Sequence, residues 1–466
     1  MRVSIVLLVT SSLWIPAVAL AQNANPASPP ATMSLEEAKS TIYAEDKTRA
    51  LDAVSTLEEF AAQGNASAML ALGDMYGHGR LVEQDKDRAV SYYRQSADAG
   101  SGFATYRLAE AYRTGGLVEQ DSVKAAGLYQ QAAAKGVDDA KVRFAQALLN
   151  GEGVEQDRER GLATLNELAD GGSQLALNSL GIYYASSNNP AGQDGEKAIS
   201  YLERSSDLGN LYAKVRLAEV YADGDLTTED DLKALDLLRQ ASDGGLTHAK
   251  HVRAVGNIRG RFGKNSNAKE GLKELTALAN EENSESRIAL ADAYYWGIGT
   301  TRDVDRSLSL LREGAASGDV AAIQRLAMLL RDAPGKRIAR DLSGARKLID
   351  DASTILPPAA RSREYTLLAA AGANSARDFE EVLRLLGEAP PESRTGIVAA
   401  IANTNPNAFV YAAQKRLQER GAYTGPLNGM LTRSTIRSMQ SICDDTCRRG
   451  PLTPAAVRHL TERLYE

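Results

Sequence analysis

The chain has 466 residues, of which 43% are hydrophobic and 24% charged, with 54 basic against 60 acidic side chains. That length exceeds one ordinary core and calls for several domains or a repeat array, and the composition excludes wholesale disorder. A formal net charge of −6 excludes a general nucleic-acid binder, which needs a basic footprint. Aromatic rings are few, with 18 Tyr against 6 Phe and 2 Trp, so packing is expected to rest on small and aliphatic side chains.

The first 21 residues have the layout of a cleavable secretory leader. Arg2 is followed by an apolar run from Val3 to Val9 and a second from Leu13 to Leu20, and Ala19-Leu20-Ala21 precedes Gln22. Ser11-Ser12 and Pro16 interrupt the run, which argues against a membrane anchor. The expected mature protein is therefore periplasmic, with cleavage near Ala21. No cysteine precedes Cys443, so no lipid anchor is expected at the new amino terminus. No later segment approaches the roughly 18 apolar residues of a membrane span. Residues 22–40 read as a linker.

From residue 41 a period of 36 residues takes over. Leu72-Gly73-Asp74-Met75-Tyr76 recurs as Leu108-Ala109-Glu110-Ala111-Tyr112, and Leu81-Val82-Glu83-Gln84-Asp85 as Leu117-Val118-Glu119-Gln120-Asp121, with Val154-Glu155-Gln156-Asp157 after them. A small residue stands in register at Ala68, Ala104, Ala140, Ala176, Ala213, Ala249, Ser286 and Ala322. A large residue follows four later, a small one next, and an aromatic or Leu three beyond. These spacings share one helical stripe. Asp85, Asp121, Asp157 and Asp303 suit the N-cap of a second helix, and Gly100, Gly136, Gly172, Gly209, Gly245 and Gly318 suit its end. Each unit is thus helix, turn, helix.

The pattern A-x-x-x-L-G-x-x-Y-x-x-G, then D-x-x-x-A, then Y-x-x-A-A-x-x-G resembles the Sel1-like repeat, a relative of the tetratricopeptide repeat. The resemblance implies an all-α fold, an α/α superhelical solenoid over 41–354, stacked in one dimension and offering area rather than a catalytic cavity. The unit around Arg253 to Asn257 departs from the pattern and implies a bend or a specialised surface; another has Gly161 where Ala is usual. Arg107, Arg143, Arg216 and Arg325 occupy one equivalent position, with Glu110 and Glu219 three residues after the first and third of them. They are the candidate partner-binding residues of a charged concave face that would hold an acidic partner or polysaccharide. The plainer reading, i,i+3 pairs on a solvated face, is preferred.

The period fades over 355–404, where Pro357-Pro358 and Pro390-Pro391 punctuate an expected helical cap. Gln414-Lys415-Arg416-Leu417, then Gly421 to Gly429, then Thr432, Thr435, Ile436 and Met439-Gln440 resemble the peptidoglycan-binding type 1 domain. The resemblance implies a small helical module over 405–466 with Tyr423, Asn428 and Arg433 as candidate glycan-binding residues. Asn428 stands for the family's usual acid, Thr435 for its Ala and Met439 for its Phe. Cys443 and Cys447, the two cysteines of the chain, read as a local disulfide in an oxidising compartment; the alternative, a metal site, has only His459 near in sequence.

The sequence offers no nucleophile elbow, P-loop or H-E-x-x-H motif. His248 and His251 lie three apart and read as surface side chains. No enzyme activity, cofactor or metal is expected. The resemblance to Sel1-like adaptors implies a non-enzymatic periplasmic scaffold in envelope assembly, foremost in exopolysaccharide synthesis and export, with secretion components as partners. Regulation of a sensor kinase through its sensor domain, and service to a cell-wall hydrolase with contact to peptidoglycan, are the alternatives.

Overall fold

The structure is a computed structural model that describes residues 33–465 apart from 188, 190–191, 444–446 and 448–449. The expected leader, and residues 22–32 of the expected linker, lie outside the described residues. Among the described residues every regular element is helical, as the all-α reading requires. The chain divides after Leu180 into two compact units.

The first unit holds α1 (Leu35–Tyr43), α2 (Ala50–Ala62), α3 (Ala66–His78), α4 (Lys86–Asp98), α5 (Gly102–Thr114), α6 (Ser122–Ala134), α7 (Asp138–Asn150) and α8 (Arg158–Asp170), and the boundary falls within α9 (Gln174–Ala185). The stretch expected as linker is helical from Leu35, because Ser34 and Glu37 form a reciprocal capping box and Ala38 and Ile42 are fully buried.

The second unit continues with α10 (Gly195–Asp207), α11 (Leu211–Asp223), α12 (Asp231–Asp243), α13 (Thr247–Arg259), α14 (Ala268–Asn280), α15 (Ser284–Trp296), α16 (Val304–Ala316), α17 (Val320–Asp332) and α18 (Leu342–Asp351). Then come α19 (Pro358–Gly372), α20 (Ala376–Glu388), α21 (Pro391–Thr404), α22 (Pro406–Glu419), α23 (Arg433–Ile442) and α24 (Pro454–Tyr465). One apolar cluster runs from Leu367 to Leu464, so the connector helices and the terminal helices share a core.

The recurring Gln-Asp pair builds the turn of each hairpin. Gln84, Gln120 and Gln156 donate through Nε2 to the carbonyls of Gly77, Arg113 and Leu149 at 2.7, 3.0 and 2.8 Å, covering groups a helix end leaves open. The following Asp caps the second helix: Asp85, Asp121 and Asp157 accept the N–H of Arg88, Lys124 and Arg160 at 2.9, 2.9 and 3.0 Å. That third residue then lays its cation over the first helix, Arg88 at 3.9 Å from the Tyr76 ring centre and Lys124 at 5.3 Å from that of Tyr112. In the second unit Lys233 lies 4.1 Å over Tyr221 and Arg306 5.3 Å over Tyr294. Between the helices, the small residues at Ala68, Ala104, Ala140, Ala176, Ala213, Ala249, Ser286 and Ala322 are all fully buried.

The departures from the pattern have physical reasons. Arg253 replaces a large apolar residue and pairs with Glu274 of the same hairpin, Nη2 to Oε1 at 2.5 Å. Asn257 replaces the Tyr, is buried, and accepts the Asn267 N–H at 2.9 Å. Gly161 in α8 marks a close approach: an added Cβ would stand 2.8 Å from the Ala145 carbonyl oxygen and 2.9 Å from Leu149. Gly127 in α6, by contrast, has nothing within 4 Å of such a Cβ. Gly161→Ala is therefore expected to destabilise by about 1–3 kcal/mol, since backbone has to move. Gly127→Ala is expected to stabilise by up to about 1 kcal/mol through helix propensity. Melting of the full chain followed by circular dichroism checks the opposite signs.

Candidate functional site

At four joints the first helices of neighbouring hairpins are tied by side chains at two fixed positions. The residue six after the buried small one reaches the residue three after the small one of the next hairpin. In the first unit Asp74 meets Arg107 Nε at 3.2 Å, Glu110 meets Arg143 Nε at 3.2 Å, and Gln146 donates to Ser179 Oγ at 2.7 Å. In the second unit Asp292 meets Arg325 Nη2 at 2.5 Å. Two of the rungs have further anchors, from their own hairpin and, at Asp74, also from α1. Tyr93 donates to Asp74 Oδ1 at 2.8 Å and Tyr43 to Oδ2 at 3.1 Å, while Tyr129 and Arg113 donate to Glu110. Burial, with the Asp74 carboxylate beside it, pushes the Tyr43 phenol up to about 12. Burial alone would raise Glu110, but the hydrogen bonds from Arg113 and Tyr129 outweigh it and hold the carboxyl below the usual range.

This geometry adds a contact that neither sequence reading of the arginines contains. Arg107, Arg143 and Arg325 each meet a carboxylate 33 residues earlier, and Arg143 also donates to Gln146 three residues on, at 3.2 Å. Arg216 is the exception: it pairs with its own Glu219, Nη1 to Oε2 at 2.7 Å. The preceding hairpin offers it Ile182 in place of an acid. There the ladder opens into a groove of about 370 Å³ lined by Ile182, Leu202, Arg216, Glu219, Val220, Asp223, Asp225 and Leu226 among others. The sequence held the signal, an acid six after the small residue and an arginine three after the next, but the pairing across repeats is visible only in the fold.

One of the two histidines also leaves its expected place. His251 is buried, its Nδ1 lies 2.9 Å from Ser286 Oγ and its Nε2 3.3 Å from Glu285 Oε1. His248 Nδ1 reaches the other oxygen of Glu285 at 3.4 Å. Two imidazoles on α13 thus flank one carboxylate on α15, His251 from a buried position and His248 from the surface.

In the terminal helices Tyr423 is buried and its hydroxyl donates to the Pro426 carbonyl at 3.0 Å, so its ring is not offered to a sugar. The centre of this region is Gln414, fully buried. Its Oε1 accepts the N–H of Asn428 at 3.1 Å and of Gly429 at 2.9 Å. Its Nε2 faces the Met430 carbonyl at 3.1 Å and Thr435 Oγ1 at 3.1 Å. Asn428 Oδ1 accepts the Met430 N–H at 2.9 Å, which makes it a loop-closing residue. Arg433 is exposed at the start of α23. Cys443 and Cys447 are joined, with Cα atoms 5.9 Å apart. Among the described residues no three His, Cys, Asp or Glu are placed to hold a metal, and no helix is long and apolar enough to cross a membrane.

The fold and ladder define a helical-hairpin repeat protein. The Sel1 repeat model matches residues 66–101, 102–137, 139–172, 174–210, 211–246 and 284–319, and Sel1 repeats generally mediate protein–protein interactions. A mouse (Mus musculus) protein, DAP3-binding cell death enhancer 1, is 32% identical over 108 residues, which cover 23% of this chain and 20% of that protein. Among solved structures, a Sel1 repeat protein from Oxalobacter formigenes aligns with TM-score 0.43 at 23% identity over 53% of this chain and all of that one. A protective antigen of uropathogenic Escherichia coli with an SLR fold aligns with TM-score 0.37 at 18% identity over 88% of this chain and 90% of that one.

Burial holds the His251 pKa below the ordinary histidine value, against the pull of Glu285 and with the help of His248 and Arg259. The unfolded chain therefore takes up this proton first as pH falls. Stability from this site is complete above about pH 6.5, the unfolded value, and is lost progressively below it. Replacing His251→Asn is expected to shrink the fall in melting temperature between pH 7.5 and pH 5; an unchanged fall contradicts the assignment.

Proposed function

We propose that this chain is an exported, non-enzymatic scaffold that brings envelope proteins together, foremost in exopolysaccharide synthesis and export. The observation that carries the reading is the ladder itself. Asp74, Glu110, Gln146 and Asp292 on the first helices are turned toward the next repeat and not toward one reacting centre. Stacked hairpins of this kind present extended area, which is what protein partners use. The relative whose name records binding to another protein supports the same class of role. The leader layout supports export, and a joined Cys443–Cys447 pair fits an oxidising compartment. The terminal helices, with Tyr423 buried and Asn428 closing its own loop, serve as a structural end and not as the main glycan contact.

The test is photo-crosslinking in cells from Phe103 and Tyr212, which are 64% and 57% exposed and equivalent in the repeat. The expected result is capture of polymer-secretion proteins by a mature chain beginning at Gln22. A leader-bearing chain in the cytoplasm, or crosslinks to itself alone, contradicts the proposal.

A further inference from the structure

Resting on the scaffold reading, we propose that the groove of the second unit, where the ladder is broken, takes a protein segment presenting an aliphatic side chain beside a lysine or arginine. The break supplies both halves of the recognition. Ile182 occupies the position where Asp74, Glu110 and Asp292 stand in other hairpins. With no acid to meet, Arg216 turns to Glu219 and leaves Ile182 42% exposed. Ile182, Leu202, Val220 and Leu226 form an apolar floor; an exposed Ile above a fully covered Leu202 is a seat from which one more aliphatic side chain removes water.

The rim selects the charge. Three carboxylates, Glu219, Asp223 and Asp225, line the groove against one guanidinium, Arg216. Two of the carboxylates are already engaged, Glu219 by Arg216 and Asp223 by Arg261 Nη2 at 2.6 Å. Asp225 is exposed and, among the described residues, has no ion-pair partner at hand. A cation set beside the inserted aliphatic group completes it, and an acid is repelled. The volume of about 370 Å³ lies at the low end of the roughly 300–1,000 Å³ of small-molecule pockets. Such pockets orient their ligand by a few enclosed polar groups, whereas here Arg216 and Asp223 have side chains 52% and 47% exposed at the rim. That arrangement suits side chains carried by a larger partner.

The experiment uses the whole mature chain against immobilised twelve-residue Gly-Ser peptides with one central pair: Leu-Lys, Leu-Glu or Ser-Lys. The Leu-Lys peptide is expected to bind at least tenfold more strongly than either other. Asp225→Lys is expected to reverse the Lys-over-Glu preference, and Ile182→Ser to remove the Leu-over-Ser preference. Both positions are exposed, so circular dichroism melts should match the wild type and separate lost binding from lost folding. Equal binding of Leu-Lys and Leu-Glu overturns the proposal, as does a preference that survives Asp225→Lys. Self-association abolished by the same substitution also overturns it, by making a second copy the occupant. If crosslinked envelope partners persist while the peptide preference is absent, the groove proposal fails and the scaffold reading stands. If the preference holds but no envelope partner is found, the scaffold reading fails and the groove stands.

Discussion

A hairpin of two thirteen-residue helices covers one face with itself and leaves the other bare, and the rest of this chain follows from covering that second face. Fully buried Ala and Ser at one position of every first helix let neighbouring helices come close. Close approach buries apolar area, and the buried large residues between the small ones set part of the register. The rung from Asp74 to Arg107, repeated from Glu110 to Arg143 and from Asp292 to Arg325, supplies the directional contact. Each carboxylate is half-enclosed or buried, so a shifted register would strand a charge away from water.

Much of this was legible in the sequence. The period of 36, the small-residue register and the Gln-Asp turn gave the helical hairpins, because each demand is local and recurs at the same place. The arginines were visible too, but their partners lie 33 residues back, a separation that no i,i+3 rule considers. Tyr423 departs from its sequence reading for the complementary reason. A tyrosine in a glycine-rich loop reads as exposed, yet Gln414, set in the preceding helix, draws that loop inward by accepting two of its amides. On sequence alone His251 reads as a surface residue, because its partners, Glu285 and Ser286, belong to the next hairpin.

Function follows from how the polar groups are arranged. Where the rungs are closed, the first helices offer each other their charges, and where Ile182 interrupts the series the chain offers an apolar seat with an acidic edge. A repeat protein thereby gains a distinct position without changing its fold, since the residue at one rung position alters what its neighbour must do. The hairpin of α13 and α14 makes the same point: Arg253 and Asn257 replace the usual apolar pair, yet pairing with Glu274 and Asn267 keeps the hairpin intact.

The central claim is that rungs between hairpins, and not pairs within a helix, couple the repeats. A double-mutant cycle on Asp292 and Arg325, with Asp292→Asn and Arg325→Gln, run beside the same cycle on Glu219 and Arg216, tests it directly by chemical denaturation. The account predicts a coupling of about 1–3 kcal/mol for the rung and no more than about 0.5 kcal/mol for the exposed pair within one helix. Equal couplings, or a rung coupling near zero, would contradict it.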